Sequence, residues 1–131
     1  MASEVCTCND DNNQLVLMVS QGEQRSFGFT LLQDDEPFDL NGYAVMVYVM
    51  NAPYAQLEPI ITKEITTTSD YNTVGQITDA ENGKFVITFL AEDINIPPYD
   101  YYFVAEITDG YTTQNVTHNG NYSAIFRVME M

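Results

Sequence analysis

Apolar side chains alternate with polar ones along most of this chain, and this period-two pattern constrains the fold more than any other feature. It is clearest in residues 26–31 (SFGFTL) and 84–89 (KFVITF). Successive side chains of a β-strand point to opposite faces, so the spacing predicts strands with one buried face. Helical periodicity is nearly absent. We therefore predict an all-β chain.

Turn residues separate the alternating segments. Asp39 to Gly42, Asn82-Gly83 and Asn119-Gly120 are turn signals that suit backbone with positive φ. Seven or eight strands lie between such signals, which predicts an immunoglobulin-like antiparallel β-sandwich of seven or eight strands. We predict that residues 1–13 form a flexible polar N-terminal tail and that residues 14–131 form a single β-sandwich domain.

Two of the predicted strands have distinct surroundings. Residues 43–50 are apolar on both faces, which favours a central strand or one covered on both sides. Residues 60–67 alternate more weakly and end in a threonine run, which predicts an exposed edge strand. Tyr99, Tyr101 and Phe103 begin the longest strand, where we expect some tyrosines in the core or in a tyrosine-corner hydrogen bond.

The charge balance is strongly acidic. Nineteen Asp and Glu residues accompany four Lys and Arg residues, giving a formal net charge of −15. Such a surface repels phosphate backbones and anionic lipids, so we expect neither nucleic acid nor a membrane as a partner. On one interpretation, the acidic surface keeps the protein soluble and prevents self-association. On the other, it docks on a basic surface of a partner protein.

Residues for catalysis or metal binding are sparse. Cys6, Cys8 and His118 are too few for a zinc site and lack the partners of a nucleophilic triad. Residues 9–13 and 34–39 offer clustered oxygen ligands for calcium, but neither fits an EF-hand, and solvated acidic loops explain them better. We predict no enzymatic activity, no cofactor and no resident metal.

Aromatic and methionine side chains mark a candidate interface. Met and aromatic residues are enriched in the cores of protein interfaces, and an open edge strand can accept a partner strand. A second buried sheet face is the alternative explanation for the apolar side of residues 43–50. The predicted interface residues are Met46, Tyr48, Met50, Tyr54, Ile61, Lys63, Ile65 and Tyr102.

Several segments occur in an order that resembles a known family. They are residues 22–32 after a Gly-Glu pair, Asp39-Leu-Asn-Gly-Tyr, Asn82-Gly-Lys-Phe, residues 98–110 (PYDYYFVAEITDG) and Asn119-Gly-Asn-Tyr-Ser. Together they are similar to the N-terminal domain of phage baseplate upper proteins and to related immunoglobulin-like modules of phage virions. The resemblance covers roughly residues 20–130.

The resemblance implies a role in virion assembly. In that family the domain anchors a larger protein to the virion. We therefore expect a non-enzymatic structural or adaptor protein of a phage tail, baseplate or head, assembled in the host cytoplasm. Its expected partners are other virion proteins and copies of itself. The alternative function is a carbohydrate-binding or adhesion sandwich that uses exposed tyrosines, with or without the assistance of calcium.

Overall fold

A computed structural model of the chain describes residues 16–33, 35–51, 59–115 and 124–130. The described residues form eleven strands and a single 3₁₀ turn at Ala80–Asn82. The strands are β1 Val16–Ser20, β2 Arg25–Thr30, β3 Leu32–Gln33, β4 Glu36–Pro37, β5 Ala44–Met50, β6 Ile61–Ile65, β7 Gly75–Asp79, β8 Lys84–Phe89, β9 Tyr99–Thr108, β10 Thr113–Asn115 and β11 Ala124–Met129. The prediction of an all-β chain is confirmed.

The strands form two principal sheets. The larger, six-stranded sheet has the order β1-β11-β9-β5-β6, with β10 also paired to β9. The smaller sheet has the order β2-β8-β7, and β3 pairs with β4 in a separate hairpin. In an immunoglobulin domain strands B, E and D share one sheet, and strands G, F, C and C′ share the other. The strands β2-β8-β7 and β11-β9-β5-β6 reproduce both orders, so the sandwich is immunoglobulin-like.

The inward side chains of the two sheets form one hydrophobic core. Alternate residues of β5 and β9 face inward, including Val47, Phe103 and Ile107, each at most 2% exposed. Aromatic rings join the layers: the ring centroids of Phe89 and Phe126 are 4.8 Å apart. Burial of these side chains supplies the main favourable free energy of folding.

The beginning of β9 contains the hydrogen bond of a tyrosine corner. The Tyr101 hydroxyl donates to the backbone carbonyl of Pro97 over 2.7 Å. In immunoglobulin folds a tyrosine near the start of strand F makes this bond to backbone a few residues upstream. The bond links β9 to the loop before it. It also gives the Tyr101 hydroxyl a hydrogen-bond partner, although the residue is only 3% exposed.

The positions predicted for the central strand, the edge strand and the turns at Gly42 and Gly83 are confirmed, whereas Asn119-Gly120 lies outside the described residues. β5 pairs with β9 on one side and β6 on the other, while β6 is the last strand on its side of the described sheet. Gly42 and Gly83 have φ values of 84° and 72°. A Cβ atom at position 83 would lie 2.6 Å from the Leu31 carbonyl oxygen, so this turn needs glycine for space as well as for φ.

The strand count and one pairing differ from the prediction. Two of the additional strands, β3 and β4, are two-residue segments in a polar stretch for which the sequence predicts a loop. Segments this short carry too few residues to show alternation. The pairing of β1 with β11 is parallel, whereas the other pairs are antiparallel. Because an edge strand can pair in either direction with the same inward side chains, alternation alone does not determine its orientation.

Candidate protein-interaction face

The larger sheet has an outward surface, here called the outer face, that is rich in apolar side chains. It consists of the alternate residues of β1, β11, β9, β5 and β6 whose side chains point away from the core. Its apolar members are Val16, Met18, Met46, Tyr48, Met50, Tyr102, Val104, Ile125 and Met129. Met18 and Met129 are 47% and 40% exposed, and five of the others are partly exposed.

An uncharged row crosses the middle of the outer face. Tyr102 of β9 lies directly opposite Ile125 of β11 and opposite Met50 of β5. Val16 of β1 extends the row, because it pairs with Ile125. Side chains directly opposite one another across strands are in contact range, so the row is a continuous apolar strip. Tyr102 and Ile125 in its centre are partly exposed, whereas Val16 and Met50 at its ends are 8% and 6% exposed.

A second part of the outer face has acidic flanks. Tyr48 lies opposite Val104, and the next outward residue of β5, Met46, lies between Glu106 and Glu64. Burial raises the pKa of the Tyr48 hydroxyl, and the negative charges of Glu106 and Glu64 raise it further. An aromatic side chain and two carboxylates therefore share a small region of this sheet.

A surface ion pair lies at the opposite corner of the outer face. Arg127 donates two hydrogen bonds to Asp100, from Nε over 2.7 Å and from Nη2 over 3.1 Å. These bonds lower the pKa of Asp100 and raise that of Arg127. Because the guanidinium and the carboxylate pair through two hydrogen bonds, their opposite charges offset each other at this corner of the outer face.

Each of the four cationic residues is engaged within the chain. Besides the Arg127 pair, Arg25 contacts Glu23 at 3.9 Å and covers the ring of Phe27. The Lys63 amine lies 2.7 Å from an Asp93 carboxylate oxygen, and Lys84 reaches a threonine hydroxyl at 3.5 Å. None of these cations is left to offset the surplus of carboxylates, which number 19 against 4 Lys and Arg residues in the sequence.

The predicted interface residues separate into two groups. Met46, Tyr48, Met50 and Tyr102 share the outer face, although Met50 is only 6% exposed. Ile61, Lys63 and Ile65 instead point into the sandwich, with exposures of 6%, 8% and 0%. The expectation that these three side chains contact a partner is therefore corrected. Tyr54 lies outside the described residues.

The correction on β6 has a physical reason. Side chains at alternate positions share a face, so a lysine between two inward isoleucines points inward with them. The Lys63 ammonium is satisfied there by Asp93 and by the Thr73 carbonyl at 3.0 Å. The β6 side chains that do face outward are Thr62 and Glu64.

The residues that were considered and set aside for catalysis or metal binding lie mostly beyond the described ranges. Cys6, Cys8, His118 and residues 9–13 are outside them, as is Asp34 of the acidic loop. Within the described part of the chain, His, Cys, Asp and Glu side chains form no group of three or more that could hold a metal ion. Among the same residues there is no helix with the length and hydropathy of a membrane span.

The sequence interpretation missed several members of the outer face. Val104 and Ile125 lie beside Tyr48 and Tyr102, and Glu64 and Glu106 flank Met46. Each of these residues occupies a position that points away from the core, and alternation along the strand does identify such positions. The pairing of β5 with β9 brings residues nearly sixty positions apart together, and that pairing has no local signal in the sequence.

No protein-family model matches the chain, and no curated protein matches its sequence. The likeness to immunoglobulin-like modules of phage virions is therefore a prediction supported only by the quoted segments and by a fold of the expected class.

Proposed function

We propose that the chain is a non-enzymatic binding module that attaches to another protein through the outer face. The observation that carries the proposal is the set of exposed and partly exposed apolar side chains on the outer face, with Tyr102 and Ile125 directly opposite each other, in a chain with a net charge of −15. Contiguous exposed apolar patches on otherwise charged domains are typical of interaction sites. The composition of the strip, with tyrosine and methionine, matches that of interface cores.

The edge strand β6 is the less favoured contact. A charged side chain that points inward from an edge strand is one of the ways in which sheets resist strand addition. Lys63 has this position, and a new strand alongside β6 would lie next to its buried ion pair with Asp93. The outer face therefore supports partner binding better than the edge that the sequence alone suggests.

The resemblance to phage baseplate modules gives the proposal its setting. We propose that the partner is another protein of a virion and that the chain serves as a structural or adaptor subunit. An adaptor needs a rigid scaffold and a recognition surface, which correspond to the sandwich core and the outer face. Assembly in the host cytoplasm and further contacts between copies of the chain belong to the same proposal.

Incorporation into particles tests this function. Tyr102→Glu places a charge in the centre of the apolar strip, and we expect it to reduce the amount of the chain in purified particles at least about tenfold, since a buried unpaired charge is costly. Thr78→Glu is the matched control because Thr78 is exposed on the smaller sheet. Equal incorporation of both variants, with both folded by circular dichroism, would contradict the proposal.

A glycan array distinguishes the carbohydrate-binding alternative. A reproducible sugar ligand that is lost with Tyr102→Ala, in a protein whose particle incorporation is unchanged, would favour an adhesion module. The half-buried setting of Tyr102, between Ile125 and Met50, leaves less ring surface for a sugar than an open aromatic platform has.

A further inference from the structure

The chemistry of the partner can be inferred if the outer face is the binding surface, so this inference rests on the proposed function. We propose that the partner protein presents an extended amphipathic segment to this face. A cationic side chain of that segment lies over Met46, between Glu64 and Glu106 and beside Tyr48, and an apolar side chain of it lies over the strip at Tyr102 and Ile125.

Cross-strand register brings the two glutamates to either side of one residue. Met46 pairs with Glu106 on β9 and with Glu64 on β6. Adjacent strands are about 4.8 Å apart, so the Cα atoms of the two glutamates are about 10 Å apart. Two glutamate side chains at that separation can converge on a single cation above Met46.

Tyr48 belongs to the same small region. It is two residues beyond Met46 on β5, so both side chains point outward. The strand register makes Glu64 on β6 and Glu106 on β9 diagonal neighbours of Tyr48, a separation of about 7–8 Å that long side chains can span. The tyrosine ring and the two carboxylates therefore belong to one small region of the outer face.

A guanidinium group fits this arrangement best. Neither Glu64 nor Glu106 takes part in an ion pair among the described residues. Guanidinium is planar, carries five N–H donors, pairs with carboxylates and stacks on aromatic faces. An ammonium group supplies the charge without the stacking. We therefore infer arginine in preference to lysine.

The charge on the outer face changes along the direction of the strands. The row through Tyr102 and Met50 carries no charge, whereas the row through Met46 carries two carboxylates. Met46 and Met50 are four residues apart on one strand, a separation of about 13 Å. A partner segment that runs along β5 thus needs its basic and apolar side chains about four residues apart.

A second copy of this chain is a poor occupant of the face. Arg127 is forked to Asp100, Lys63 is buried, and Arg25 and Lys84 have contacts within their own chain. Two copies would also bring together chains of net charge −15 each. Charge complementarity therefore favours a basic partner of a different sequence.

A pair of short peptides tests the inference on the full chain. One carries isoleucine and arginine four residues apart, and the other has citrulline in place of arginine, which keeps the side-chain shape and removes the charge. Binding is measured by NMR from shifts of the methionine methyl and tyrosine ring signals. The variant Glu64→Gln/Glu106→Gln is compared with Glu81→Gln/Glu92→Gln, which removes equal charge from exposed turns beside β8.

We expect the arginine peptide to bind more tightly than the citrulline peptide. The variant Glu64→Gln/Glu106→Gln should raise the Kd of the arginine peptide about threefold to tenfold, which is the effect of losing two exposed charge pairs. The control variant should raise the same Kd by less than about twofold. Equal weakening in the two variants, or equal binding of the two peptides, would overturn the inference. A dimer of the chain alone that Tyr102→Glu dissociates would overturn the choice of partner.

Failure of this inference is distinguishable from failure of the proposed function. If Tyr102→Glu reduces particle incorporation while Glu64→Gln/Glu106→Gln changes neither incorporation nor peptide binding, the outer face binds a partner that is not basic, and only the inference is wrong. If neither variant affects incorporation, the proposed function is wrong as well.

Discussion

The rings of Phe29 and Phe103 stack across the two sheets, with centroids 6.4 Å apart and planes inclined by 11°. Phe103 follows the tyrosine-corner residue Tyr101 by two positions, where an immunoglobulin domain has the second cysteine of its inter-sheet disulfide. Phe29 lies on β2, the counterpart of the strand with the first cysteine. An aromatic stack thus joins the layers at the place of the disulfide, independently of redox conditions.

Truncation of this stack should be strongly destabilising. Phe29→Ala removes a ring that is 6% exposed and also stacks on Phe85 at 5.2 Å. We expect a loss of about 3–5 kcal/mol in the free energy of unfolding, measured by urea denaturation. Phe27→Ala, at a partly buried position of the same strand, should cost less. A larger loss at Phe27 would show that the stack is not central to stability.

The tyrosine corner gives a smaller, specific effect. Tyr101→Phe removes the hydroxyl that donates to Pro97 and leaves the ring in place. We expect a loss of about 1 kcal/mol, since one hydrogen bond disappears without a cavity. Tyr99→Phe is the control, because Tyr99 is 58% exposed. Similar unfolding midpoints for the two variants would contradict a structural role for the bond.

The Lys63–Asp93 and Arg127–Asp100 ion pairs should contribute differently to the free energy of unfolding. Asp93→Ala leaves the Lys63 ammonium, 8% exposed, without its carboxylate, and we expect a loss of about 3 kcal/mol. Arg127→Met breaks the Arg127–Asp100 pair, whose side chains are 43% and 49% exposed, and should cost less than about 1 kcal/mol. Thermal unfolding at pH 7 compares them. The reverse order would show that Lys63 is more hydrated than its position indicates.

Asp109 should contribute a pH-dependent part of the stability. Hydrogen bonds from the backbone N–H groups of Thr112 and Tyr111 hold the pKa of Asp109 below its ordinary value of 3.8. The folded state therefore favours the ionised form, so this stabilisation is present above pH 3.8 and declines as the pH falls through the folded-state pKa.

Thermal melts at several pH values measure this effect. The difference in melting temperature between the wild type and Asp109→Ala should be constant from pH 7 to about pH 5 and shrink at lower pH. Glu81→Ala, at an exposed position, serves as the control for general charge effects. A difference that grows on acidification would have the wrong sign for a lowered pKa.

Alternation along the sequence was sufficient to predict most inward side chains. Leu17, Phe29, Phe85 and Phe126 all belong to runs with period two, and all are buried. The strands that alternation identifies are those of five residues or more, where the pattern repeats at least twice. Tyr99, the first residue of β9, was predicted to point inward by the same pattern but is 58% exposed.

Partnerships between distant strands could not be predicted in the same way. Lys63 was predicted to contact a partner together with Ile61 and Ile65 because residues 60–67 were expected to form an exposed edge strand, yet Asp93, thirty positions away, satisfies its ammonium inside the sandwich. Met46 and Tyr48 were identified from their residue types and from their alternation along residues 43–50. Their neighbours Glu106 and Val104 depend on the register between β5 and β9, which only the folded sheet specifies.

Site-specific photo-crosslinking tests the central claim most directly. A photoreactive phenylalanine derivative is placed at Tyr102 on the outer face or, as a control, at Thr78 on the smaller sheet, and the chain is produced together with the virion proteins that we propose as its partners. We expect a single crosslinked partner from position 102 and little or none from position 78. Crosslinks from position 78 alone, or from both positions equally, would contradict recognition through the outer face.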